Sequence, residues 1–346
     1  SFAVAQLKYG VADFYLSRQT VRALLGIVSF IIFINVDYHF WGRMSNLFYL
    51  GSLILLVVVL LLPESSAVNG AKRWISIGAI RFQVSDVARM ALILVLARSC
   101  EKAGPDIKNW PVLARNLIVI GITFLLVLLE PNFSTASILA LTGLAMLFLS
   151  GANMVHLSGL FLGFIPVAVV LVLKSSYRFK RLIGFMNMTN SKEGYQAYQS
   201  LIGLGNGGLF GVGLGKGEQK LFYLPEPHTD FAISIMGEEI GFVGLMIVIA
   251  IFTFIIYRGI NIALHAPDKM GQLMAFGFTF TIAVYALVHM MVGTAMIPTT
   301  GIPMPFLSYG GMSLVFTLSS VGILLNISSQ VRYGLGKAVK GHKEVR

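Results

Sequence analysis

The side chains best placed for chemistry close one polar segment, Tyr223-Leu-Pro-Glu-Pro-His-Thr-Asp230, just before a long apolar run. Asp230 admits two readings. As a helix N-cap it would accept backbone N–H bonds and suit the helix dipole. As an ionisable group at membrane depth it would be a partly desolvated carboxylate, its pKa raised toward general-base work. The two roles are compatible. Glu226 and His228 stand beside it in a loop stiffened by Pro225 and Pro227.

Other charged groups are weighed the same way. Glu238 and Glu239 fall inside the following apolar run, where carboxylates need a polar cavity or a buried Lys or Arg partner. Pairing is the plainer reading. Asp86 and Arg89, three apart on one helix face, either form an ion pair or leave Arg89 for a phosphate. Tyr177-Arg178-Phe-Lys180-Arg181 and Lys72-Arg73-Trp74 put cations next to aromatics, as in headgroup anchoring or diphosphate recognition. The glycine-rich run Gly203–Gly217 lacks the G-x-x-x-x-G-K-[ST] pattern, so a re-entrant or interfacial segment fits it better than a nucleotide loop. The histidines show no ligand spacing and Cys100 is the lone cysteine, which argues against a metal cluster or a disulfide framework.

These groups must be positioned by membrane helices. Of 346 residues, 56% are hydrophobic and 12% charged, against about 25% charged in an ordinary soluble domain. Apolar runs over 20–38, 46–62, 84–100, 114–130, 134–150, 155–174, 231–257, 272–293 and 308–331 are each about long enough to cross a bilayer as helix. The expected fold is therefore all-α, a polytopic membrane helix bundle, rather than a β-barrel of short alternating segments. The chain reads as one integral membrane domain, 1–346, with residues 175–230 as a long extracytoplasmic loop. It starts at Ser1, which suggests that a preceding piece is missing. No internal repeat suggests an inverted-repeat transporter.

Arg332, Lys337, Lys340, Lys343 and Arg346 make the tail basic and mark it as cytoplasmic. Counting back then puts 63–83, 175–230 and 297–307 outside. The excess of cations in 174–220 on that side calls for an anionic ligand at the outer leaflet. The net charge of +11 thus points to lipid or an anionic substrate, and not to nucleic acid.

Several ordered motifs then resemble the SEDS family (shape, elongation, division and sporulation) of bacterial membrane proteins. They are Asn69-Gly-Ala-Lys-Arg-Trp-Ile75, Gln83-Val-Ser-Asp-Val-Ala-Arg89, Glu130-Pro-Asn-Phe-Ser-Thr135 and Gly194-Tyr-Gln-Ala-Tyr-Gln-Ser200. The series continues with Gly207-Gly-Leu-Phe-Gly-Val-Gly213, Leu224-Pro-Glu-Pro-His-Thr-Asp-Phe231 and Gly301-Ile-Pro-Met-Pro-Phe-Leu-Ser-Tyr-Gly-Gly311. The run from Gly215 to Pro225 resembles the cell-division branch more than the elongation branch. In the family motif Q-P-S-E-x-x-K this chain has Val84, Asp86 and Arg89, which keep the charge signs but change the reach.

The resemblance implies about ten transmembrane helices, the first largely missing here, and polymerisation of lipid II into peptidoglycan strands. It implies Asp230 as the catalytic carboxylate and undecaprenyl diphosphate as the leaving group. Arg73, Trp74, Asp86, Arg89, Glu130, Arg178, Lys180, Arg181, Glu226, His228, Glu238, Glu239 and Ser308 are the candidate substrate contacts. The implied partners are a class B penicillin-binding transpeptidase and other division proteins, in the bacterial inner membrane at the division site. A divalent cation, Mg or Mn, is the only cofactor left open, and no residues are assigned to it. A lipid II flippase is the rival reading.

Overall fold

The computed structural model describes residues 5–6, 10–11, 13–63, 72–77, 80–187, 191–221, 224, 228–310 and 312–341. Its elements follow the apolar runs. They are α1 (Phe14–Asn35), α2 (Tyr38–Arg43), α3 (Ser45–Leu61), β1 (Trp74–Ile77), β2 (Ile80–Gln83), α4 (Val84–Ala103), α5 (Trp110–Leu129), α6 (Phe133–Ser150) and α7 (Met154–Leu173). Then come α8 (Ser176–Met186), α9 (Lys192–Gly207), α10 (Ala232–Leu264), α11 (Lys269–Gly293) and α12 (Ser313–Gly341). Helices α1, α5, α6, α7, α10, α11 and α12 (to Val331) are long and apolar enough to cross a membrane, and α3 is a shorter apolar helix. A helix overlaps every expected run, but α4, with its several charged residues, is not among the helices apolar enough to cross; the protein is a multi-pass membrane protein.

Two local expectations are corrected, and one pair of strands is added. The segment 175–230 is not one loop, because Ser175 and Ser191 cap two helices within it: their side chains accept from Arg178 N–H and from Gly194 N–H. The expected run 308–331 becomes helical only at Ser313, after the Pro303 and Pro305 turns. Residues 74–83 form an antiparallel hairpin, with Ile75 opposite Phe82 and Ser76 opposite Arg81.

The chain divides into two compact units. One comprises Arg22–Leu157, Ile255–Ile282 and Gly311–Arg346. Its centre is α4, buried from Ala91 through Ala97. A helix enclosed on all sides needs no amphipathic stripe, which explains how a helix carrying Asp86, Arg89 and Arg98 sits in the middle. Small residues allow close approach: a Cβ at Gly277 would stand 2.8 Å from Ile93 and 2.9 Å from Met146, and one at Gly143 would stand 2.7 Å from Ile120. Close packing of this kind drives helix association where no water is left to expel.

The other unit comprises Ser1–Val21, Ser158–Phe254 and Ala283–Gly310. Its main device is a break in α10. Gly241 has φ +68°, which interrupts the helix. Such a break removes the bonds that Phe242 and Val243 N–H would make to Glu238 and Glu239 C=O four residues back. All four groups are paired with the glycine-rich segment instead. Phe242 N–H donates to Gly208 O (2.9 Å) and Val243 N–H to Leu209 O (3.0 Å). Glu238 O and Glu239 O accept from Val212 N–H and Gly213 N–H, both at 3.0 Å.

Glycine is required on both sides of this exchange. A Cβ at Gly211 would fall 2.2 Å from Glu239 O, and one at Gly241 2.3 Å from Gly211 N. Both residues also hold positive φ. Gly241→Ala should therefore destabilise the unit by at least ~2 kcal/mol, seen as a lower melting temperature in detergent micelles. The exposed control Gly121→Ala should leave that temperature unchanged.

Candidate active site at the Asp230 turn

Asp230 sits in a turn over 228–230, and α10 begins at Ala232. The helix cap is Phe231, whose carbonyl accepts from Ser234 N–H (3.0 Å) and Ile235 N–H (3.2 Å). The N-cap expected at Asp230 is thus shifted by one residue. Phe231 is buried with Leu224 and Val292, and this anchors the start of the helix.

The turn is held from the segment after α11. Ser308 Oγ donates to Thr229 O (2.7 Å) and accepts from Met304 N–H (2.8 Å). Tyr309 N–H donates to His228 O (2.8 Å). The His228 ring lies 4.9 Å from Tyr15, which in turn packs edge-on to Tyr309 at 5.0 Å. The carboxylate faces Gly301: a Cβ there would stand 3.7 Å from Asp230 Oδ2. Gly301 has φ +72°, so the conformation itself selects glycine and leaves room beside the carboxylate.

Two residues that sequence reasoning missed complete the frame. His289, buried on α11, hydrogen-bonds Ile302 O through Nδ1 (2.8 Å) and accepts from Ile233 N–H through Nε2 (3.5 Å). A carbonyl only accepts, so Nδ1 carries the proton and the Nε2 lone pair is left for the first turn of α10. Ser200 Oγ bonds Gly293 O (2.6 Å) and pairs with Ser234 Oγ (2.5 Å), tying α9 and α10 to the end of α11. A polar side chain alone in an apolar span is the signal that would have found His289.

The cations on α8 divide. Arg181 Nη1 donates to Thr299 O (2.9 Å), two residues from Gly301, so it belongs to the wall of this site. Arg178 Nη1 bonds Leu171 O (3.0 Å), and burial lowers its pKa. Lys180 is exposed on the same helix.

Other candidates are structural. Glu238 accepts from the backbone of Glu218 (3.0 Å) and Gln219 (3.1 Å), and Glu239 pairs with Lys220. For Glu239 that is the pairing reading, while Glu238 takes backbone N–H groups instead; together they lock the 216–220 stretch onto α10. Ser308, its hydroxyl both donating and accepting, positions the turn. Glu226 lies outside the described residues.

Five more candidates, Arg73, Trp74, Asp86, Arg89 and Glu130, belong to the other unit. Asp86 and Arg89 form a buried ion pair at 3.3 Å. Trp74 lies under Arg81, 5.6 Å from ring centroid to guanidinium. Arg73 donates to Glu130 O (3.0 Å) and Pro131 O (2.5 Å), pinning the hairpin to the α5–α6 turn. Glu130 is 0% exposed, and neither carboxyl oxygen has a hydrogen-bond partner among the described residues. Burial pushes its pKa up to about 8, against the opposing pull of Arg73.

With the geometry established, the comparisons identify the family. The family model described as cell cycle protein, for FtsW, RodA and SpoVE, matches residues 1–333, and the chain belongs to that family. It is similar to the probable peptidoglycan glycosyltransferase FtsW of Geobacter sp. (strain M18), at 37% identity over 96% of this chain and 91% of that protein. It is similar also to stage V sporulation protein E of Bacillus subtilis, at 38% identity over 95% of this chain and 91% of that one. Among solved structures, the rod shape determining protein RodA of Thermus thermophilus superposes with TM-score 0.67 at 26% identity, covering 90% of this chain and 86% of that one.

Glu130 gives a pH test. Its folded pKa, about 8, exceeds the ordinary 4.5, so the protonated form is favoured by folding. Its contribution is complete below about pH 4.5 and is lost as pH rises to about 8, a fall of roughly 5 kcal/mol. Melting curves from pH 5 to 9 should fall more steeply for the native protein than for Glu130→Gln. Parallel curves would contradict a buried neutral carboxyl.

Proposed function

We propose that this chain is a peptidoglycan glycosyltransferase that joins lipid II units into glycan strands at the outer leaflet of the bacterial cytoplasmic membrane. The reading is supported by family membership and by relatives bearing that enzyme name. The observation that carries its mechanism is the Asp230 carboxylate beside the unfilled space at Gly301, on a loop tied to Arg181 through Thr299.

An acceptor sugar hydroxyl attacks the anomeric carbon of the donor strand. The new C–O bond forms as the bond to the diphosphate oxygen breaks. Asp230 takes the hydroxyl proton, and the electron pair leaves with undecaprenyl diphosphate. One base and one attacking oxygen on the face opposite the leaving group give inversion. Arg181, with Lys180 nearby on α8, meets the charge that develops on the diphosphate. Arg73, Arg89 and Arg178, engaged with their own units, are left out of this role. No step is routed through a divalent ion: among the described residues no group of three or more His, Cys, Asp or Glu side chains could hold one.

A class B penicillin-binding transpeptidase is the proposed partner, and the division site the proposed location, in line with the family's description as cell cycle protein. Purified protein with such a partner, given labelled lipid II, should form polymer resolvable on a gel. Asp230→Asn should slow it by ~10²-fold or more. Polymer at the normal rate from the variant would refute the base assignment. Labelled lipid crossing a vesicle bilayer without polymer would favour the flippase.

A further inference from the structure

We infer that residues 207–215 form a membrane-embedded wedge, whose apolar side chains contact lipid acyl chains beside the break in α10. The side chains are wrong for a watery loop: Leu209 is 64% exposed, Phe210 79% and Leu214 79%, with Val212 exposed between them. Glycines alternate with these residues, turning the backbone toward α10 while the large groups project away. The exposed surface continues without a charged residue onto α10, where Phe242, Val243, Met246 and Ile247 are also exposed. That helix is itself apolar enough to span a bilayer. The occupant that fits both surfaces is the same hydrocarbon.

Irregular backbone is excluded from lipid unless its polar groups are satisfied by protein. This segment meets that condition through the exchange with α10, in which the broken helix and Gly208–Gly213 satisfy each other's N–H and C=O groups. A solvent-exposed loop would need no such arrangement.

Charge fixes the depth. On one side of Gly241 lie Glu238, Glu239 and Lys220, with Lys216 and Glu218 exposed close by. On the other, the charge-free run Gly241–Tyr257 measures about 25 Å as helix, close to the hydrocarbon thickness. The whole of α10, 33 residues, would be about 50 Å long, so part of it must lie outside. The hydrocarbon boundary therefore falls at Gly241, with the wedge at that edge.

One consequence rests on the glycosyltransferase reading. Ala232 stands about 14 Å along the helix from Gly241, beyond a headgroup layer of roughly 5–8 Å. Asp230 then lies at the level of the sugars of a lipid-linked substrate rather than of its diphosphate.

The test is site-directed spin labelling in phosphatidylethanolamine–phosphatidylglycerol nanodiscs. In a Cys100→Ala background, single cysteines replace Leu209, Phe210, Leu214 or Lys216. Labels at the first three positions should collide several-fold more often with oxygen than with a water-soluble nickel chelate, and the label at 216 should show the reverse. Equal access of the chelate to all four would overturn the wedge in favour of an aqueous loop. Exclusion of both reagents at 209, 210 and 214 would overturn it in favour of a protein-covered surface. Reading three positions keeps one poorly folding variant from deciding the result, and none of the readings depends on polymer formation.

Discussion

Backbone hydrogen bonding in a medium without water is the constraint on which this molecule depends. Each unpaired N–H or C=O in hydrocarbon would cost several kcal/mol. The chain meets that demand with helices, and where one helix breaks it brings in a second segment to take up the exposed groups. The break at Gly241 and the glycines of 207–213 are two halves of one device. Glu238 and Glu239 serve it: one carboxylate holds the N–H groups of Glu218 and Gln219, and the other pairs with Lys220. Charges that look catalytic in a hydrophobic sequence are here the means of fastening an irregular segment to a helix.

The same logic governs the Asp230 turn. Its backbone groups are taken up by neighbouring segments. Ser308 and Tyr309 bond the carbonyls of Thr229 and His228, and His289 joins Ile302 to the first turn of α10. These contacts pre-position the carboxylate against the space at Gly301, and such fixed geometry is what makes a single base effective.

The membrane helices were legible because long apolar runs have few alternative structures in lipid. Asp230 and His228 were legible because charge and proline cluster before such a run. The partners of the remaining charges were not. Glu130 precedes a proline at the end of a span, as a ligand might, yet it is enclosed beside Arg73, and only the tertiary packing of the hairpin reveals this. Arg178 and Arg181 are three residues apart on α8, but one bonds the end of α7 and the other the Gly301 loop. His289 has no neighbouring motif, and its two bonds reach residues 56 positions upstream and 13 downstream. The family resemblance supplied the reaction, while the division between chemical and structural charges came from packing.

The central claim is that the Asp230 carboxylate accepts the proton of the attacking hydroxyl. Chemical rescue tests it most directly. Asp230→Ala removes the base and leaves a space in which a small carboxylate can stand. With labelled lipid II and the transpeptidase partner in nanodiscs, the account predicts that added formate restores polymerisation to the variant, saturably and without accelerating the native protein. An Asp230→Ala variant that polymerises at the native rate without formate would contradict it.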